Sequence, residues 1–183
     1  LDNWHRTHDR VWLGGDFCAN PMEDWRVSSG AAECTNRGRN RGVHSLTHQV
    51  TAPAEGFAMS VLLSLGSGPM KQRGAGFRVG VRSELNEVKS NCLAGGGLDA
   101  GVKEGSLALG PERAELDHLI ETQEIRLVLS GSADGDQVAL ELSAEDLESG
   151  ETLAMLRHRV APERLLGNVA VVSGYEGPNH RDE

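Results

Sequence analysis

Aromatic side chains are few, 4% of 183 residues, and no stretch longer than a few residues has helical periodicity. Together with 23 glycines, this argues against a helical bundle and for many turns and short strands. Bases are in the minority: 18 Lys and Arg against 27 Asp and Glu leave a net charge of -9. A nucleic-acid backbone is repelled on average, no basic cluster with interleaved aromatics offsets this, and nucleic acid is not an expected partner. No apolar run approaches the roughly 18 to 20 residues of a bilayer-crossing helix, so no membrane span is expected. The chain opens at Leu1 without Met, a basic n-region or an apolar h-region, the form left by a removed signal peptide or by trimming. Cysteine is limited to Cys18, Cys34 and Cys92, which match no CxxC metal site and allow at most one internal disulfide. Two readings stand: buried free thiols acting as small hydrophobes, or a Cys18–Cys34 bridge.

What is present is alternation. The length suits one domain, 1–183, and one all-β sandwich can use all of it. The clearest stretch is 57–82. In Phe57-Ala58-Met59-Ser60-Val61-Leu62-Leu63-Ser64-Leu65, residues Phe57, Met59, Val61, Leu63 and Leu65 share one face and Ala58, Ser60 and Ser64 the other. In Gly76-Phe77-Arg78-Val79-Gly80-Val81-Arg82, Phe77, Val79 and Val81 go inward while Arg78, Gly80 and Arg82 go outward. Both read as long strands of a two-layer sandwich whose apolar side makes the core.

Elsewhere the elements are shorter. Residues 1–24 read as a polar, irregular leading segment with one short strand at Val11-Trp12-Leu13. Trp25-Arg26-Val27, Ser28-Ser29-Gly30 and Ala31-Ala32-Glu33-Cys34 follow the order strand, turn, strand. The basic run Asn36-Arg37-Gly38-Arg39-Asn40-Arg41-Gly42 reads as a solvated loop, with anion binding as its alternative, and a strand over 43–50 follows. A polar loop or short helical turn is expected over 84–90. The glycine-rich 92–102 lacks the Lys-Ser/Thr ending and the long following helix of a phosphate cradle, and reads as a tight loop. A short strand over 106–109 ends at Gly110-Pro111, and 112–121 has room for a helical turn or two. Two alternating runs, 124–130 and 137–143, form a hairpin around Ala133-Asp134-Gly135-Asp136, and 152–160 and 167–173 add two strands. The sum is about eleven short strands and no helix longer than three turns, as in a two-layer antiparallel β-sandwich of jelly-roll type. Its core is expected to hold Phe57, Met59, Val61, Leu63, Phe77, Val79, Val81, Leu127, Leu129, Val138, Leu140 and Leu142.

Little chemistry is visible. No Gly-x-Ser-x-Gly elbow, Walker loop or His-Glu-x-x-His occurs. His44 and His48 would lie roughly 13 Å apart on a strand, too far to share one ion, and read as hydrogen-bonding strand residues. Asp99, Asp134 and Asp136 are oxygen ligands of the kind calcium takes, so a structural calcium would draw on them, but no run approaches an EF-hand loop and turn carboxylates are the simpler reading. No other cofactor or metal is expected in this chain. Glu115, Asp117 and Glu121 lie in Glu-Leu-Asp-His-Leu-Ile-Glu, which resembles the acidic strand of laminarinase and lichenase type glycoside hydrolases. There two carboxylates flank one glycosidic bond as nucleophile and general acid. The last Glu stands four residues after the Asp, displaced from that family's pattern, and a solvated acidic surface is the alternative.

Five blocks taken together carry a wider resemblance: Asn20-Pro21-Met22-Glu23-Asp24-Trp25-Arg26-Val27, Asn40-Arg41-Gly42-Val43-His44-Ser45-Leu46-Thr47, Gly76-Phe77-Arg78-Val79-Gly80, Gly97-Leu98-Asp99-Ala100-Gly101 and Gly167-Asn168-Val169-Ala170. They resemble the N-terminal domain that precedes the catalytic domain in some secreted alkaline phosphatase D-type (PhoD-like) metallophosphatases. That domain is similar to concanavalin A-like lectin/glucanase and laminin-G-like sandwiches. The resemblance implies a non-catalytic, carbohydrate-directed accessory module, outside the cytoplasm, whose partners are a carbohydrate ligand and a metallophosphatase domain. It also implies a fragment of a longer protein, ending before a last strand. A glycoside-cleaving sandwich enzyme and a structural or protein-assembly domain are the alternatives.

Sandwiches of this class bind along a concave sheet, and here Arg78, Gly80 and Arg82 face away from the apolar row. Arginine's planar fork holds hydroxyls, carboxylates or sulfates bidentately, and glycine leaves room for a ring to approach. Trp25 or Trp12 would add a stacking platform. Pairing of both arginines with acids is the competing expectation.

Overall fold

The computed structural model describes residues 3–36, 38–64, 74–116 and 124–175. Thirteen strands lie within them. A seven-stranded sheet has the order β1 (Phe17–Asn20), β4 (Arg41–Val50), β13 (Gly167–Ser173), β6 (Ala75–Val81), β7 (Leu98–Lys103), β8 (Ser106–Leu109), β9 (Glu112–Glu115). A four-stranded sheet has the order β12 (Thr152–Val160), β11 (Gln137–Asp146), β10 (Glu124–Asp134), β5 (Phe57–Ser64). The remaining pair, β2 (Trp25–Ser28) and β3 (Ala31–Cys34), is a small ribbon. Every pairing within these sheets is antiparallel. The chain is an all-β antiparallel sandwich, and the α-helix among the described residues, α1 (Val88–Asn91), is a single turn.

The period-2 pattern explains the packing. Phe77 and Val79 of β6, Leu127 and Leu129 of β10, and Val138, Leu140 and Leu142 of β11 are buried in one core with Leu63 of β5. Val81 is also fully buried. Phe57, Met59 and Val61 pack against that core but stay half-buried, because β5 is an edge strand. β5 and β6 belong to different sheets, so their apolar rows meet from opposite sides of the core. Turn chemistry closes the hairpins where expected: Ser29 and Gly30 both take positive φ between β2 and β3, and Gly135, at φ 66, starts the two-residue link between β10 and β11.

Three local expectations are corrected. Val11-Trp12-Leu13 is no strand; Leu13 is buried in a second, small core with Ala19, Trp25, Val27 and Val43, while Val11 and Trp12 point to solvent. One inward residue holds the segment, and two outward ones leave no alternation to pair. Residues 112–115 form β9 rather than a helical turn: Ala114 packs inward, and Glu112, Arg113 and Glu115 line an edge that solvates charge. The basic loop is anchored rather than freely solvated. Arg41 Nε meets the buried Asp24 carboxylate at 2.8 Å, and Asn36 Nδ2 donates to the other oxygen of Asp24 at 2.8 Å.

The two sheets differ in what lies outside them. Along β10 and β11 buried and more exposed residues alternate, the pattern of a sheet with one wet face. Along β6, five consecutive residues from Ala75 to Val79 are buried, so both faces of that strand are covered.

Candidate functional site

The outward side of β6 is occupied by the protein itself. Arg78 is 7% exposed. Its Nε donates to Asp99 Oδ1 at 2.6 Å and its Nη2 to Oδ2 at 3.2 Å, a bidentate pair across the β6–β7 register, and Nη1 donates to Asn40 Oδ1 at 2.8 Å. Asn40 holds φ 59 and its backbone N–H reaches Gly174 O, which clamps the loop over this face. Tyr175 lies beside Arg78, with its hydroxyl 3.0 Å from Phe77 O and 3.2 Å from Ala100 O. Gly76 and Gly101 oppose each other in register beneath it; a Cβ on either would sit 2.6 Å from the Tyr175 hydroxyl. Burial, and then the Asp99 charge, push the Tyr175 phenol well above its ordinary range. Gly80 leaves no room for a sugar ring, because a Cβ there would meet Arg164 O at 2.1 Å. Arg82 is exposed. Trp25 is 6% exposed inside the small core, whereas Trp12 is 60% exposed with the Arg10 guanidinium 6.0 Å from its ring centre.

His44 sits on this covered face as well, 4% exposed, and its Nδ1 has no hydrogen-bond partner among the described residues. Burial, and then the Arg78 charge, lower its pKa to about 4. The expectation of a hydrogen-bonding strand residue is met by His48, whose Nδ1 lies 2.9 Å from Thr47 Oγ1, and not by His44 Nδ1. Of the two cysteine readings, the free thiols are found and the Cys18–Cys34 bridge is not: Cys18, Cys34 and Cys92 are unbonded in this structure, Cys92 buried and the other two half-buried. Cys34 packs on the small core with Ala19, which neighbours Cys18 on β1 and faces the opposite way from it.

Of the acidic trio, Glu115 is exposed on edge strand β9, while Asp117 and Glu121 lie outside the described residues. The three aspartates considered for calcium are dispersed: Asp99 pairs with Arg78, Asp134 with Arg159 Nε at 2.5 Å, and Asp136 is exposed in the hairpin turn. Among the described residues, no three His, Cys, Asp or Glu side chains are grouped to hold a metal ion.

The open surface is on the other sheet. A groove of about 760 Å³ runs over the outer side of β10, β11 and β12 and around the β12 edge, lined by residues that include Ser130, Ser132, Asp134, Glu141, Arg157 and Arg159. Register explains the gathering: Glu141 stands between Ser130 and Arg157, and Ala139 between Ser132 and Arg159. Arg157 Nε contacts Glu141 at 2.8 Å. Around the edge, His158 Nδ1 lies 3.3 Å from Glu112 Oε1, where β12 passes β9. Small side chains therefore floor the groove, and charged pairs form its walls.

No family model, curated protein or solved structure matches the chain. The site is therefore read from its own chemistry. Hydroxyls, carboxylates and guanidinium forks on one face supply donors and acceptors together, the set that a polyhydroxylated ligand requires. The outward carboxylates of β11, Glu141 and Glu145, are four residues apart, which on a strand is roughly 13 Å and beyond the roughly 5 to 9.5 Å of a glycosidase pair. The signal for this site was present in the sequence as Met155-Leu156-Arg157-His158-Arg159, an alternation with arginine on the outward side.

Proposed function

We propose that this chain is a non-catalytic recognition module that takes carbohydrate on the outer face of its four-stranded sheet. On this reading the sandwich is a jelly roll of the concanavalin A-like kind. Its working partner is an extracytoplasmic phosphatase or phosphodiesterase of alkaline phosphatase D type, a pairing that rests on the sequence blocks described above. The observation that carries the ligand assignment is the groove, with Ser130 and Ser132 on its floor and Arg157, Arg159, Glu141 and Asp134 around it. On the arginine face first expected to bind, Arg78 is paired with Asp99 and Arg164 O fills the space over Gly80. The test is titration of the chain with neutral and acidic oligosaccharides, alongside a Ser132→Trp variant that fills the groove from an exposed position. Binding by the parent and its loss in the variant is the expected result. Equal binding by both moves the ligand off this face, and no binding by the parent to any glycan ends the carbohydrate reading.

A protein-assembly role is favoured by a different observation. Leu62 and Met155 are 58% and 47% exposed on the outer face of the same sheet. If assembly is the function, Leu62→Glu abolishes co-sedimentation with the phosphatase domain and leaves glycan titrations unchanged.

A further inference from the structure

The fold brings Cys18 and Cys92 together from distant parts of the chain. Cys18 and Asn20 point to the same side of β1, two residues apart, and Ala19 between them goes to the small core. Asn20 Nδ2 donates to the Cys92 carbonyl at 3.0 Å, which pins the residue after α1 over that side. Cys92 is fully buried there. Its thiol lies 3.4 Å from Val88 O, Asn168 Nδ2 approaches its sulfur at 3.8 Å, and the Cys18 thiol is near enough to influence its titration. Cys34 is on the opposite side of β1, with its thiol 3.3 Å from Asn36 O.

We propose that Cys18 and Cys92, both thiols in this structure, close on oxidation to a disulfide that fixes the α1 segment to edge strand β1, leaving Cys34 as a free thiol. The oxidant is an external disulfide, either a small-molecule disulfide or a dithiol oxidase. Cys18 is half-buried, the more reachable of the two. Its thiolate attacks one sulfur of the oxidant, and the other sulfur leaves as a thiol carrying one proton. Cys92, losing its proton to water, then attacks the Cys18 sulfur of the mixed disulfide and releases the second thiol. Two protein thiols are oxidised and one external disulfide is reduced. Burial, and then the Cys18 thiol, push the Cys92 thiol up to about 12, so Cys18 is the first of the two to attack. The segment so fixed also carries Gly95, whose carbonyl lies 3.4 Å from Arg78 Nη1. The cross-link therefore ties down the cover over the Arg78–Asp99 pair.

The test uses the full chain equilibrated with oxidised and reduced glutathione, unfolded in iodoacetamide and mapped by peptide mass. A linked Cys18–Cys92 peptide pair with Cys34 alkylated is expected. Reductant should lower the thermal midpoint by roughly 5 to 15 °C in the parent and in Cys34→Ser, and leave Cys18→Ser and Cys92→Ser unmoved. Should Cys92→Ser fail to fold, Cys18→Ser at the half-buried position carries the comparison. Alkylation of all three cysteines, or a bond made by Cys34, overturns the pairing.

Discussion

The outer faces of the two sheets use the same residue types to opposite ends. On the seven-stranded sheet Arg78 is 8% exposed at the side chain and locked to Asp99, beneath Tyr175 and the loop that carries Asn40. On the four-stranded sheet Arg157 is 77% exposed and pairs with Glu141, whose other cross-strand neighbour is Ser130. Both pairs join neighbouring antiparallel strands, 2.6 Å and 2.8 Å apart at their closest atoms. What separates them is water. A buried pair is held by the cost of leaving either charge alone, whereas a wet pair is screened and can exchange its partner for a ligand. The covered face is thus structural and the open one is available for recognition.

Removing one member of the covered pair should give the largest effect. Asp99→Ala leaves the Arg78 guanidinium buried with Asn40 Oδ1 and Gly95 O as its hydrogen-bond acceptors among the described residues. A loss of about 3 to 4 kcal/mol in unfolding free energy is expected, discounted from the upper end because the Asp99 side chain is 31% exposed. Urea denaturation reads it directly, and a change below about 1 kcal/mol would mean that the face is wet.

The second effect separates the faces by pH. His44 is neutral in the fold, its pKa lowered to about 4 by burial and by the Arg78 charge, against 6.5 in the unfolded chain. Between those values the unfolded chain binds a proton that the native chain refuses, so stability falls as pH drops from about 6.5 and levels off below about 4. By about pH 5 the loss should be about 2 kcal/mol. His44→Leu should flatten that part of the urea-midpoint profile, and a parent profile with no such fall would place His44 in contact with water.

Much of this contrast was legible before the fold was known. The alternation of Phe77, Val79 and Val81 against Arg78 and Gly80 put the arginine on the outward side, and the core residues of β5, β10 and β11 followed from the same period. What alternation does not carry is whether an outward side is covered. That depends on Asn40, Gly95 and Tyr175, which reach Arg78 from distant segments with no local signature. β9 was missed because an edge strand needs just one inward residue, Ala114, and its charges mimic a surface turn. The groove has no local signature because its walls come from β10, β11 and β12 at once, which only the register of three strands brings together. The meeting of Cys18 with Cys92 likewise depends on where α1 lands, and spacing along the chain holds no trace of it.

The smallest expected effect sharpens the comparison from the open side. Arg157 and Glu141 are 77% and 39% exposed at their side chains, so both charges stay in contact with water and the attraction is screened. A double-mutant cycle with Arg157→Ala and Glu141→Ala should return a coupling below about 1 kcal/mol, shrinking further in about 1 M salt. Neither single variant strands a buried charge, so each should unfold close to the parent midpoint. Loss of glycan binding in these well-folded variants would then report recognition rather than folding. A coupling of about 3 kcal/mol would instead mean that the floor of the groove is dry, and that the two faces of this sandwich are alike.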